Sequence, residues 1–422
     1  MMLLSNSKPR FLLAAACGLA LGPRLAPADT PAFAAAEAIG TNQSASITEA
    51  SGLAASRRNP HVFWVHNDSG DSARVFAINR QGALLGTYTL AGASATDWED
   101  IALGPDPASG VDCLYAGDIG DNGAARPFVT VYRVPEPLVN TNVFNLVTNL
   151  AGAQAFSFTY PDGARDAETL MADPWTGDLF IVSKRESLSR LYRAAFPQDA
   201  TATNSLTYLG QLTFGWAVGG DISPSGRQIL IKEYSAMHYY PRAIGQALEE
   251  VLTNSPAGIV PCPAEPQGEA VAWQGQEDGY LTLSEGSSQP LYYCASSDAD
   301  GDALPDSREV ATGTDMSDPD SDGDGQDDGD EVVAGTAPTD DTSYFVLEAS
   351  RVTATSATLM WYARTNRLYD LLSHDGPPTN SAAFSALVTN IGVPSDGVLT
   401  TNVFLNADLQ VLRLRVRAAD GW

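Results

Sequence analysis

The chain has 422 residues and a formal charge of −27, with 51 acidic residues against 24 basic ones. That length is enough for two or three domains, and a 44% hydrophobic content with 37 Gly and 26 Pro favours strands joined by turns over long helices. Lys and Arg are nowhere concentrated, which excludes a basic nucleic-acid surface, because a polyanion would be repelled over most of the molecule.

At the amino end, Lys8 and Arg10 precede an apolar run from Phe11 to Gly22, with small-residue sites at Ala26-Pro27-Ala28 and Ala32-Phe33-Ala34. This pattern predicts a signal peptide over residues 1–34 and a secreted or periplasmic chain, with cell-surface attachment compatible. No later stretch reaches the roughly 18 apolar residues a membrane helix needs, so no transmembrane segment is expected in the mature chain. Cys17 falls inside the leader's apolar core. Of Cys113, Cys262 and Cys294 at most one pair can form; Cys262 with Cys294 would fit across neighbouring strands, and Cys113 reads as a small buried side chain.

Residues 40–296 carry a repeat whose unit opens on a small or acidic residue and a short apolar strand, turns, and resumes as a second apolar strand ending in polar residues. Anchors at Gly52, Glu99, Glu168, Asp221 and Glu269 are separated by 47, 69, 53 and 48 residues, intervals that suit four-stranded blades. The long interval holds an insertion at Thr141 to Gly152, read as a rim loop. Third strands are expected at Arg74 to Ile78, Val129 to Val134, Arg190 to Tyr192 and Leu291 to Cys294. Outer strands are expected at Leu84 to Leu90, Ala155 to Tyr160 and Tyr208 to Phe214, with Ser46 to Glu49 closing the ring on the last blade. The fold class is therefore all-β, a five-bladed β-propeller; a sixth blade would fit in the third or fourth interval, and a stacked sandwich is the alternative. His66-Asn67-Asp68-Ser69-Gly70, Asp97-Trp98-Glu99-Asp100, Gly117-Asp118-Ile119-Gly120-Asp121-Asn122 and Tyr160-Pro161-Asp162-Gly163 with Asp166-Ala167-Glu168 resemble a secreted bacterial propeller family of uncharacterised function. More distantly the region is similar to phytase-like and lactonase-like propellers, a resemblance that implies an acidic central funnel holding calcium.

First strands line a propeller's channel, so Glu99, Glu168, Asp221 and Glu269 are expected to form a ring that Gly52 interrupts. Asp68, Asp100, Asp118, Asp121, Glu186, Glu233 and Glu285 belong to the same candidate funnel, joined by His66, Lys184, Lys232 and Tyr234. Carboxylates facing one funnel must raise their pKa values, pair with cations or bind a metal. The bland reading is that such Asn-Asp-Ser-Gly and Gly-Asp-Asn strings only close turns. Glu99, Asp118, Glu168 and His66 are the candidate catalytic residues, but no triad, P-loop, Rossmann fingerprint or zinc signature accompanies them.

Residues 297–341 hold sixteen acids against the single basic Arg308 and thus carry −15 of the net charge. Asp298, Asp300, Asp302, Asp306 and Glu309 occupy positions 1, 3, 5, 9 and 12 of a loop, with the Leu304 carbonyl at position 7. Asp320, Asp322, Asp324, Gln326, Asp328 and Glu331 repeat the spacing. Alternate side chains of a tightly wound loop converge on a hard cation, and a bidentate acid at position 12 completes its shell. Position 6 is Ala303 in the first loop and Gly325 in the second, and Pro305, Pro319 and Pro338 punctuate the region, which disfavours a regular EF-hand. The segment resembles about two thrombospondin type 3 calcium repeats, which implies Ca2+ wrapped by the chain and a stiffened spacer.

Residues 342–422 read as a small β-sandwich with strands at Tyr344 to Leu347, Ala357 to Trp361, Arg367 to Leu372, Leu387 to Thr389, Val398 to Phe404 and Leu409 to Arg417. Trp361, Tyr362, Tyr369 and Phe404 are its expected core, and its role reads as a structural accessory or a glycan-adhesion module. Two functions follow for the whole: an extracellular propeller binding calcium and a small molecule, glycan or protein, or a calcium-assisted hydrolase of phosphoesters or lactones. The first is favoured because no nucleophile and base are identifiable by spacing.

Overall fold

The structure, a computed structural model, describes residues 30–352, 356–375, 385–404 and 410–418. The expected leader lies outside the described residues as far as residue 29. Two compact units emerge: Pro27–Ala299 with Pro305–Thr312, and Asp300–Leu304 with Gly313–Trp422.

In the first unit, hairpin-linked apolar strands form five sheets, antiparallel except for an edge strand in two of them. Blade one runs outward through Ala50–Ala55, Val62–Asn67, Arg74–Asn79 and Leu84–Leu90; blade two through Trp98–Asp106, Val111–Asp118, Val129–Pro135 and Gln154–Thr159. Blade three comprises Ala167–Ala172, Leu179–Ser183, Arg190–Ala194 and Thr207–Gln211; blade four Gly219–Ile222, Gln228–Lys232, Met237–Pro241 and Gly258–Val260. Blade five has Gly268–Trp273, Gly279–Ser284 and Pro290–Ala295. Each first strand neighbours the next, and the fifth returns to the first, so among the described residues the ring closes with five blades.

The closing strand is Glu37–Thr41, antiparallel to Pro290–Ala295, and not the expected Ser46 to Glu49. That segment is a turn instead: Ile47 is buried, and the Asn67 side chain accepts the N–H groups of Thr48 and Glu49 at 3.0 and 3.1 Å. The folded part begins earlier still. Ala34 N–H donates to the Ala295 carbonyl, and the Phe33 ring packs against Tyr239, Trp273 and Tyr280, so residues assigned to the end of the leader belong to the propeller. The insertion between blades two's third and fourth strands is not a free rim loop, because Leu146–Leu150 adds a parallel strand to the edge of blade one. Blade four's third and outer strands, separated by the short helix Leu248–Leu252, have no counterpart in the sequence reading.

Alternate side chains of one strand serve two different blade interfaces. Val62 and Trp64 pack toward blade two, while Phe63 and Val65 pack toward blade five. Both faces are therefore apolar, which erases the polar alternation of a half-exposed strand. Between blades three and four lies a buried ion pair: both terminal guanidinium nitrogens of Arg242 reach the Asp173 carboxylate at 2.9 Å, and the Trp175 ring stacks over the guanidinium at 3.9 Å. Cys113, Cys262 and Cys294 are free thiols, so the Cys262–Cys294 bridge does not form.

The second unit contains two three-stranded sheets, Glu348–Val352, Ser356–Ala363 and Gly397–Phe404 in one, Ser385–Ile391, Arg367–Asp375 and Gln410–Ala418 in the other. Leu359, Trp361, Ala363, Tyr369 and Leu371 form its core. Tyr362 is half exposed and not a core residue, while the Phe404 side chain lies outside the described residues. The first strand starts at Glu348, just beyond the predicted Tyr344 to Leu347. Among the described residues no helix is long and apolar enough to cross a membrane.

Candidate metal centre

The register of the propeller's inner hairpins slips by one residue in four blades: between Ala50 and Gly52, Trp98 and Asp100, Ala167 and Thr169, and Gly268 and Ala270. The residues left unpaired are Ser51, Glu99, Glu168 and Glu269. A bulge of this kind inserts one residue and re-aims its side chain. The ring is thus built from bulge residues, with Ser51 rather than Gly52 in blade one. Blade four has no slip. Its Asp221 does not join the ring; it accepts the Trp273 N–H at 2.8 Å and borders a small cleft with Arg57 and Leu103. Burial pushes Asp221 up to about 7.

Lys184 takes the place left open by blade four. Its ammonium pairs with Glu168 and lies 3.6 Å from Glu269, while the Tyr234 hydroxyl donates to Glu269 at 2.8 Å. On the other side of the ring, carboxylate oxygens of Asp68, Asp97 and Glu99 lie within 4.8 Å of one another, as do those of Glu99, Asp166 and Glu168. Glu99 belongs to both groups. Gly120 makes the convergence feasible, since a Cβ there would lie 2.1 Å from Glu99 Oε1 and 2.5 Å from Asp97 Oδ2.

Such crowding is electrostatically costly. Burial, reinforced by Glu168, Asp68 and Asp97, pushes Glu99 up to about 11. Burial and the Glu269 charge raise Glu168 to about 8 against the opposing pull of Lys184. Glu285 rises to about 8 by burial and its proximity to Glu269, and Asp68 to about 6 chiefly by burial. Glu168 Oε2 is buried with no hydrogen-bond partner. A divalent cation would relieve the crowding at Asp68, Glu99 and Glu168, and an all-oxygen donor set suits a hard ion.

Other predicted funnel residues are otherwise engaged. Asp118 accepts the N–H groups of Thr96 and Asp97 and pairs with Arg126 at 2.8 Å. Asp121 closes its turn by accepting the Ala125 and Arg126 N–H groups. Asp100 ties blade two to blade three by accepting Leu170 N–H at 2.9 Å. Glu186 pairs with Ser183 and Arg165, Glu233 with His238, and Lys232 with Glu265. His66 is wholly buried, edge-on to Trp98, and pressed against Gly52, where a Cβ would lie 2.4 Å from its Nε2. Its Nδ1 faces the Asn67 carbonyl at 2.8 Å, and burial lowers its pKa to about 4, so it is a neutral packing residue at pH 7. Asp97 and Asp166, read only as parts of the repeat motifs, and Ser51 were not among the predicted funnel residues. The missed signal is the shared Asp-x-Glu of Asp97-Trp98-Glu99 and Asp166-Ala167-Glu168, which places a second acid two residues before each bulge.

In the acidic segment, Asp298, Asp300 and Asp302 form one close group of carboxylates and Asp320, Asp322 and Asp324 another. Each loop runs into a short helix, Asp306–Thr312 and Asp328–Ala334. Position 9 braces the loop in both cases: Asp306 accepts Ala299 N–H at 2.8 Å, and Asp328 accepts the N–H and hydroxyl of Ser321 at 3.0 and 2.6 Å. Ala303 at position 6 has φ of 74°, beside 94° for Gly325, so the first loop keeps the left-handed turn despite its Cβ. The Gln326 amide bonds to the main chain of Phe345, leaving its carbonyl as the position-7 donor. Leu304 is buried, its N–H donating to Asp302 at 2.6 Å. Glu309 and Glu331 at position 12 are both fully buried. Neither Glu331 oxygen makes a hydrogen bond, because the nearby Thr336 hydroxyl donates to the Glu331 carbonyl, and Asp322 and Asp324 each keep one buried oxygen unpartnered. Burial and the charges of Asp322 and Asp324 lift Glu331 to about 7.

No family model matches the chain, and no curated protein matches it. Among solved structures, a chain of the Kuenenia stuttgartiensis hydrazine synthase is similar at 12% identity over 58% of this chain and 95% of its own, with a TM-score of 0.29. An overlap that small carries no inference about chemistry.

Proposed function

We propose that the protein is a secreted calcium-binding propeller that presents a cation at one mouth of its channel and recognises an extracellular ligand there. The carrying observation is the pair of carboxylate groups that share Glu99, with one buried Glu168 oxygen unpartnered. Asp68, Asp97, Glu99, Asp166 and Glu168 would hold the ion, which would supply positive charge and open coordination positions to ligand oxygens. Residues 297–341 would add two further ions in thrombospondin type 3-like loops that stiffen the segment before the β-sandwich of residues 342–422. Calcium-assisted hydrolysis of a phosphoester or lactone is the second reading, favoured only by the raised pKa of Glu168, which suits a general acid. Binding fits better because Glu99 and Glu168 are almost fully buried and His66 is sealed between blades.

Calorimetric titration of the full chain with calcium tests this reading, with three saturable ions expected. Glu331→Gln is expected to weaken one loop ion at least tenfold and leave the propeller ion untouched, since position 12 supplies two of the oxygens. Uptake unchanged in that variant counts against the loop assignment. The leader offers a separate check. A cut after Ala34 would remove Phe33 from blade five, whereas a cut after Ala28 keeps it, so the mature protein is expected to begin at Asp29. Amino-terminal sequencing that starts at Ala35 would contradict this.

A further inference from the structure

Blade four lacks the bulged acid of its neighbours, and the segment in its place is aromatic. Trp216 is 49% exposed and Tyr234 is 37% exposed, although both adjoin the residues that complete the ring. Trp216 N–H donates to the Lys184 carbonyl at 3.0 Å, and the Lys184 ammonium, paired with Glu168, sits 5.2 Å from the centre of the Tyr234 ring. The Trp216 backbone is left-handed, with φ of 62°, a conformation a bulky side chain avoids unless its surroundings impose it. They do: a Cβ at Gly215 would lie 2.5 Å from the Glu186 carbonyl, the Ala217 N–H is held by Ser189 at 3.3 Å, and the Val218 N–H by the Lys232 carbonyl at 2.9 Å. The chain thus holds a half-exposed indole at a strained position whose main chain is tied to Lys184, the residue that pairs with Glu168 and neighbours Glu269.

We propose that this aromatic side of the mouth binds a neutral carbohydrate, with Trp216 as its stacking platform and Tyr234 beside it. The inference rests on the cation-presenting mouth described above and names its ligand class. A sugar offers a flat C–H face to an exposed indole and a set of O–H donors to carboxylates such as Asp68 and Asp97. Its vicinal hydroxyls are also suitable oxygen donors to a bound calcium ion. A phosphorylated or carboxylated ligand fits less well, because the partly exposed acids of the mouth would repel it.

The test uses the full chain in calcium with cello-, xylo-, malto- and chito-hexaose, read by calorimetry and tryptophan fluorescence, with calcium content measured in parallel. At least one hexasaccharide is expected to bind, with Trp216→Ala weakening it tenfold or more, Trp216→Phe retaining it within about threefold, and calcium content unchanged in both. Absence of binding to all four hexasaccharides with calcium uptake intact overturns the carbohydrate proposal alone, as does equal binding by Trp216→Ala. Loss of calcium uptake at the mouth in the unmodified protein would instead overturn the cation reading. Trp216-dependent binding that survives Glu99→Gln would support the sugar platform without the ion.

Discussion

Calcium is expected to raise the melting temperature much more at pH 8 than at pH 5, and Glu99→Gln is expected to remove the propeller's share of that increment. The sign follows from the raised carboxylates. Glu168 and Glu285 titrate near 8 and Asp68 near 6 in the folded protein, above their unfolded values. Between about pH 4.5 and 8 the metal-free fold therefore holds more protons than the unfolded chain, and its stability falls as pH rises. Calcium displaces those protons, so its affinity climbs over the same window. One ion at about 1,000 times its Kd contributes about 4 kcal/mol, roughly 10 °C for a domain of this size. Glu99, held near 11, is protonated without metal, and Gln is nearly isosteric with that acid. The variant should match the parent in EDTA and, in calcium, keep only the gain from the two loop ions. Gly120→Ala should behave alike with no change in ligand chemistry, because its Cβ displaces the Glu99 carboxylate. A calcium increment that is flat with pH, or unchanged in both variants, would remove the metal centre from this mouth. Differential scanning calorimetry at pH 5 and pH 8 decides it.

Arg242→Ala is expected to cost about 3–5 kcal/mol, the usual consequence of leaving a buried carboxylate without its partner. Asp173 and the guanidinium are both buried, and Asp173 otherwise holds only the Trp175 N–H and the Thr176 hydroxyl at its turn. Loss of the Trp175 stack adds to the cost. Urea unfolding is the measurement. The double variant Asp173→Asn with Arg242→Met should recover a large part of the loss, because it removes the orphaned charge and refills the space. If the double variant were as unstable as Arg242→Ala alone, packing rather than charge would be the source.

The blade rhythm was legible because each inner hairpin is an apolar run bracketed by polar turns, and the calcium-loop spacing because alternating aspartates have no packing alternative. The failures share a cause in pairing that composition does not encode. Glu37–Thr41 is half exposed and polar at its ends, and only its partner 250 residues away makes it a strand. Gly258–Val260 has three residues, too few for any periodicity. The bulges moved the ring from Gly52 to Ser51 and excluded Asp221, since a one-residue slip in register changes which side chain turns inward. Among the funnel acids, those that pair with arginine or turn amides could not be told by type from those that converge. Asp118 and Asp166 both pair with an arginine and accept main-chain N–H groups, yet only Asp166 lies among the clustered oxygens.

The antiparallel pairing of Glu37–Thr41 with Pro290–Ala295 also sets an order of events. The strand that seals the ring is made first, and its partner last among the propeller's strands. Throughout synthesis the amino-terminal segment must remain extended and unpaired, while blades one to four assemble from local hairpins. Ring closure cannot precede residue 295, so the acids clustered across blades one to three can meet during synthesis, and Glu269 of blade five joins them only in the final step.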